Sequence, residues 1–88
     1  MPYFIAFLET VDKKKDAEVL DEHKAYLKKY LDNGKIYAKG PFLDHSGGLI
    51  IYKVKDEEEA YAIAKEDPVI KYQSRTMILK EWKSTFPE

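Results

Sequence analysis

The chain of 88 residues has no cysteine, which excludes disulfides, thiolate-bound metals and cysteine nucleophiles at the outset. Histidine occurs only at His23 and His45, with no carboxylate–histidine pair at ligand spacing, so no metal site is expected. Arginine occurs once, at Arg75, beside 14 lysines. Basic and acidic residues number 15 and 16, for a net charge of −1. Nucleic-acid binders carry a basic excess, because neutralising phosphates supplies most of their affinity, and they favour the guanidinium fork. Nucleic acid is therefore not an expected partner. Glycine is scarce, four in all, and none falls in a Walker or dinucleotide pattern, so there is no phosphate loop and no cofactor is implied.

Long apolar runs are missing too. Nothing approaches the roughly 18 residues of a membrane span. The run 3–8 lacks a basic leader and is followed by Glu9, so it does not read as a signal peptide. A soluble, cytoplasmic protein is the expectation.

What is present suits one domain, 1–88. Apolar residues make up 44% of the chain, enough for one modest core. A domain this short buries only roughly 60–65% of its unfolded surface, so self-association would add burial. Residues 3–9, rich in aromatic and branched side chains, predict a strand, and the lysine-rich 10–15 a loop. Over 16–33 the apolar residues Val19, Leu20, Tyr26, Leu27, Tyr30 and Leu31 recur at helical spacing, with His23 in the remaining slot of the stripe. Gly34 supplies the stop.

A second strand is predicted over 36–43, a turn over 44–48 and a third strand over 49–54. Asp56 with Glu59 forms a capping pair for a second helix, whose inner face carries Ala60, Ile63 and Ala64. That helix is expected to end near Asp67, because the residue before Pro68 is pushed out of the helical region. The last strand is predicted over 77–82. The order β-α-β-β-α-β, without a linker, predicts an α+β fold of ferredoxin-like βαββαβ type: a four-stranded antiparallel sheet with two helices on one face.

Both faces of that sheet are apolar in sequence. The first strand alternates Tyr3, Ile5 and Phe7 with Phe4, Ala6 and Leu8, and the third alternates Leu49 and Ile51 with Ile50, Tyr52 and Val54. Two helices cover one face only. A second copy packed sheet to sheet is the simplest cover for the other, so a homodimer is expected. Which alternate set faces the helices is not decided by the pattern.

His23, on the core-facing stripe, is the first candidate for chemistry. A histidine so placed is commonly a satisfied core residue. Asp67 is the second, expected at the C-terminal end of the second helix, where the dipole disfavours a carboxylate; an ordinary Asp-Pro turn is the plainer reading. Both helices lie on one sheet face, so the two side chains are within reach of each other. A carboxylate beside an imidazole favours its cation and fixes its tautomer, both useful to a general base. Gly40-Pro41 and Gly47-Gly48 allow close backbone approach to a ligand, or simply make a bulge and a turn. His45 is expected to be solvated. Arg75, before the last strand, is placed to clamp an oxyanion, although an exposed surface arginine is the plainer expectation.

Taken in order, Glu22-His23-Lys24-Ala25-Tyr26-Leu27, Asn33-Gly34-Lys35, Gly40-Pro41-Phe42, Gly47-Gly48, Glu59-Ala60, Asp67-Pro68 and Glu81-Trp82 resemble the YciI-like proteins over nearly the whole chain. The resemblance implies a dimeric α+β barrel, related to muconolactone isomerases and small monooxygenases, and a site built on His23 and Asp67. For at least one branch it implies dehydrochlorination of a chlorinated hydroxyhydroquinone. There are two departures. Many relatives carry an arginine where this chain has Leu20, so a possible anion anchor is missing. Many carry a small residue where it has Tyr72-Gln73, which is expected to narrow or reshape the pocket mouth.

These features predict a small cofactor-free enzyme, in which His23 moves a proton on a small cyclic, phenolic or lactone-like substrate by elimination or isomerisation. Asp67 orients the ring, and Gly40, Pro41, Asp44 and Arg75 contribute to substrate binding. A non-catalytic ligand-binding or regulatory module of the same topology is the alternative, although 11–14 lack the glycine that an amino-acid-binding regulatory domain would want. A haem-degrading relative with His23 as axial ligand is a third reading. Topology alone does not choose among them.

Overall fold

Alternation in the first strand decides what lies inside. In the computed structural model, which describes residues 2–86, Phe4, Ala6 and Leu8 of β1 (Tyr3–Thr10) are almost fully buried, while Phe7 is 43% exposed. The chain then runs through α1 (Lys13–Asp32), β2 (Ile36–Pro41), β3 (Gly47–Lys53), α2 (Glu57–Lys65), the single-turn α3 (Pro68–Lys71) and β4 (Arg75–Trp82). The four strands form one sheet in the order β2-β3-β1-β4, antiparallel throughout, as the ferredoxin-like reading requires.

The helices pack on the face carrying Phe4, Ala6, Leu8, Ile50 and Tyr52, with Met77 and Leu79 at its edge. Val19 and Leu27 from α1, Ala60, Ile63 and Ala64 from α2, and Val69 from α3 complete this core. The opposite face carries Ile5, Phe7, Leu49, Ile51 and Ile78, and Ile78 is 59% exposed. At one end of that face Phe86 lies against Tyr3, Tyr37 and Trp82, with ring centroids 4.7–5.3 Å apart. This packing buries Tyr3 although it lies on the outer face.

Strand β4 begins at Arg75, two residues before the expected 77, so Arg75 lies in the strand and not before it. Four further differences from the sequence reading each have a physical reason. Helix α1 begins three residues before the expected 16, because Asp12 caps it by accepting from the backbone N–H of Lys15 at 3.0 Å. The apolar stripe could not reveal this turn, since Lys13–Lys15 is wholly polar. Strand β2 ends at Pro41 rather than 43, and a bulge between Ile36 and Ala38 interrupts its register with β3. Gly47 and Gly48 belong to β3, not the turn. A Cβ at Gly47 would stand 1.7 Å from the Leu8 carbonyl oxygen, so only glycine allows β1 this close.

The fourth difference concerns Asp67. Helix α2 opens as expected, Asp56 accepting from Glu59 N at 2.9 Å while Glu59 accepts from Lys55 N at 3.1 Å. It ends at Lys65, however, and Asp67 is not its C-terminal residue. Asp67 instead caps α3, with Pro68 in the first turn, where proline's missing N–H costs nothing and its fixed φ suits the helix.

Candidate functional site

Helix α1 sets His23 between Val19 and Leu27, four residues either way, so its ring faces the sheet and is only 7% exposed. Asp67 reaches it from the other side. Extended backbone at this pre-proline position (φ −59°, ψ 128°) turns the carboxylate inward, and the residue is 1% exposed. Asp67 Oδ1 accepts from the Val69 backbone N–H at 3.2 Å and lies 2.6 Å from His23 Nδ1. A carboxylate can only accept, so Nδ1 donates and the neutral ring keeps its lone pair on Nε2. Asp67 Oδ2 accepts from none of the described residues, which confines the carboxylate's partners to the oxygen facing His23. Nearby, Tyr52 is 1% exposed, and burial together with the Asp67 charge pushes its phenol far above the usual range.

His23 forms part of the wall of a cavity of about 110 Å³ between α1 and the β2–β3 end of the sheet. That is the scale of a single ring, since a dry engineered cavity of roughly 150 Å³ binds benzene. Leu8, Leu20, Leu27, Leu49 and Ile50 supply apolar walls, and Gly40, Pro41 and Gly48 bring backbone to the lining. Lys24, Lys39 and Arg75 carry the cations.

Arg75 is not the exposed residue expected. Its side chain is 12% exposed, because Nε and Nη2 donate to the two carboxylate oxygens of Asp16 at 2.8 and 3.0 Å. Ser74 Oγ also donates to Asp16, at 2.9 Å. Burial alone would raise the Asp16 pKa, but the hydrogen bonds from Arg75 and Ser74 and the guanidinium charge overcome it and hold the carboxyl below its usual range. Arg75 Nη1 lies over Gly48, 3.7 Å from where a Cβ would stand.

The structure thus brings together His23, Asp67, Gly40, Pro41 and Arg75 of the residues read from sequence. Asp44 is not among the cavity residues; it is exposed in the β2–β3 turn and accepts from Ser46 N at 2.9 Å. His45 is exposed in the same turn. Tyr72 and Gln73 do not line the cavity, so they leave its mouth unshaped, contrary to expectation; Gln73 instead takes a left-handed φ of 63°. Sequence reasoning missed Lys39 and the Asp16–Ser74 pair. Among the described residues no group of three or more His, Cys, Asp or Glu side chains is placed to hold a metal ion, and no helix is long and apolar enough to cross a membrane.

A ferredoxin-like α+β domain with a buried His–Asp pair, its histidine at the wall of a ring-sized cavity, is the class that fold and site define. The chain belongs to the YCII-related domain family, whose pattern matches residues 1–83, in agreement with the YciI-like resemblance. It is 28% identical over 81 residues to the uncharacterized protein YjpA of Bacillus subtilis (strain 168), covering 92% of this chain and 95% of that protein. Its fold is similar to that of 5-chloro-2-hydroxyhydroquinone dehydrochlorinase (TftG) from Burkholderia phenoliruptrix AC1100, solved in complex with 2,5-dihydroxybenzoquinone. The TM-score is 0.79 at 22% identity, over 92% of this chain and 93% of that one.

Proposed function

We propose that the protein is an acid/base enzyme acting on a small ring compound, with His23 as the catalytic residue and Asp67 as its positioning partner. The observation that carries this reading is the 2.6 Å contact between His23 Nδ1 and the buried Asp67 carboxylate, at the wall of a cavity of ring size. Nε2 of the neutral imidazole takes a proton from the substrate, and the resulting imidazolium is held by Asp67. Returning that proton to a neighbouring carbon completes an isomerisation. Departure of a leaving group with the released electron pair completes an elimination instead. Either sequence needs one proton carrier and no oxidant or nucleophile. The similarity to a dehydrochlorinase supports elimination of hydrogen chloride from a chlorinated, hydroxylated ring, in which the proton leaves to His23 and chloride departs with its bonding electrons.

Chloride release from 5-chloro-2-hydroxyhydroquinone, followed with the wild type and with His23→Ala, tests the reading. Turnover that falls by about 10²–10⁴-fold in the variant, the usual share of a positioned acid/base group, is the expected result. Turnover that survives in His23→Ala, or a wild type inactive on chlorinated hydroxyquinols and small ring lactones alike, overturns it and leaves a binding module.

The same reading includes a homodimer. Its support is the outer sheet face, where Phe7 and Ile78 are 43% and 59% exposed beside Ile5, Leu49 and Ile51. A second sheet packed there would remove this apolar surface from water.

A further inference from the structure

The lining of the His23 cavity is one-sided in charge. Lys24, Lys39 and Arg75 contribute to it, and no aspartate or glutamate does, in a chain that has 16 acidic residues. The three cations are not equivalent. Arg75 is already neutralised by the two-pronged contact with Asp16, whereas among the described residues Lys24 and Lys39 make no ion pair.

Lys39 owes its place to the bulge in β2. Ile36 pairs with Tyr52 and points into the core, so strict alternation would send residue 39 to the opposite face. The irregularity between Ile36 and Ala38 shifts the register by one, and Lys39 lies opposite Ile50, on the helix face that carries His23. A one-residue slip transfers a side chain between faces, and bulges re-aim side chains beside functional sites in this way.

Resting on the acid/base reading of this cavity and deepening it, we propose that its ligand is a ring compound bearing a negative charge, and that Lys39 selects that charge. The apolar walls hold the ring. The Lys39 ammonium stands for a carboxylate, or for an oxygen that carries charge as a proton moves to His23. A plainer role exists for Lys39, since lysine on the edge strand β2 discourages edge-to-edge pairing; that role predicts no effect on ligand choice.

Benzoate and benzamide, nearly equal in shape and differing in charge, separate the two roles. Binding to the full-length protein is followed by calorimetry and by the NMR shift of the His23 ring, for the wild type, Lys39→Gln and Lys80→Gln. Lys80 lies on the outer sheet face opposite Ile5, so its change lowers the net charge equally, away from the cavity. The wild type is expected to bind benzoate more tightly, moving the His23 resonance. Lys39→Gln is expected to lose about fivefold in benzoate affinity, the upper end for a solvent-exposed ion pair, with benzamide unchanged. Lys80→Gln should bind both as the wild type does. Added salt should shrink the preference.

Equal binding of the two probes, an equal effect of Lys39→Gln and Lys80→Gln, or no shift of the His23 ring up to the solubility limit of the probes would overturn the proposal. The outcome is separable from that of the acid/base reading. A benzoate preference carried by Lys39 without any turnover keeps this inference and removes that one, while turnover dependent on His23 with equal binding of both probes does the reverse.

Discussion

His23 and Asp67, 44 residues apart, meet through a single carboxylate oxygen that also caps α3. One side chain therefore caps α3 and fixes which ring nitrogen of His23 is free. The proline after Asp67 makes both possible, by forcing the extended backbone from which the carboxylate turns inward.

Asp67→Ala should break this coupling without unfolding the domain, since losing the cap of the single-turn α3 costs only about 1 kcal/mol. In the wild type, ring nitrogen chemical shifts are expected to place the proton of the neutral imidazole on Nδ1. The variant is expected to show a mixture of tautomers and reduced turnover, with an unchanged far-ultraviolet circular dichroism spectrum. An unaltered tautomer in Asp67→Ala would show that the carboxylate does not hold the ring.

Acid stability should depend on Asp16. Its folded-state pKa is held below the usual carboxylate range, because Arg75 and Ser74 outweigh the opposing effect of burial. A lowered folded pKa contributes stability that is present above the unfolded value and lost as pH falls through the folded one. Urea denaturation below about pH 4 should therefore show a decline in the wild type that is shallower in Asp16→Asn. At neutral pH the variant should be less stable by about 1.5–3 kcal/mol, the range for hydrogen bonds to a charged group. Parallel pH profiles for the two proteins would contradict the assignment.

Gln73→Gly should stabilise the fold. Gln73 holds φ at 63°, a conformation that costs a side-chain-bearing residue roughly 1–2 kcal/mol. Glycine removes that cost and loses about 0.5–1 kcal/mol in extra chain entropy. A net gain of about 0.5–1 kcal/mol in chemical denaturation is expected. Benzoate binding should not change, because residue 73 is outside the cavity lining.

The outer face should hold two copies together. Light scattering after size exclusion is expected to give twice the monomer mass of 10.3 kDa for the wild type. Phe7→Asp or Ile78→Lys should give the monomer mass with the helices intact. A wild type that elutes as a monomer at micromolar concentration would remove the dimer from the reading.

Much of the architecture was legible locally. The stripe from Val19 to Leu31 placed His23 against the sheet, Gly34 marked the end of α1, and Asp56 with Glu59 opened α2, because helical spacing and caps are set by residues within a few positions of one another. The βαββαβ order followed from the same short-range signals. Other features depended on partners distant in sequence. With both strand sets apolar, only the packing of α1 and α2 decided that Phe4, Ala6 and Leu8 face inward and Ile5 and Phe7 outward. Arg75 looked like a surface residue until the fold delivered Asp16, 59 positions away, to both of its prongs. Lys39 is the clearest case. Alternation along β2 alone points it away from the helices, and only pairing with β3 reveals the bulge that turns it toward His23, because register is a property of two strands and not of one.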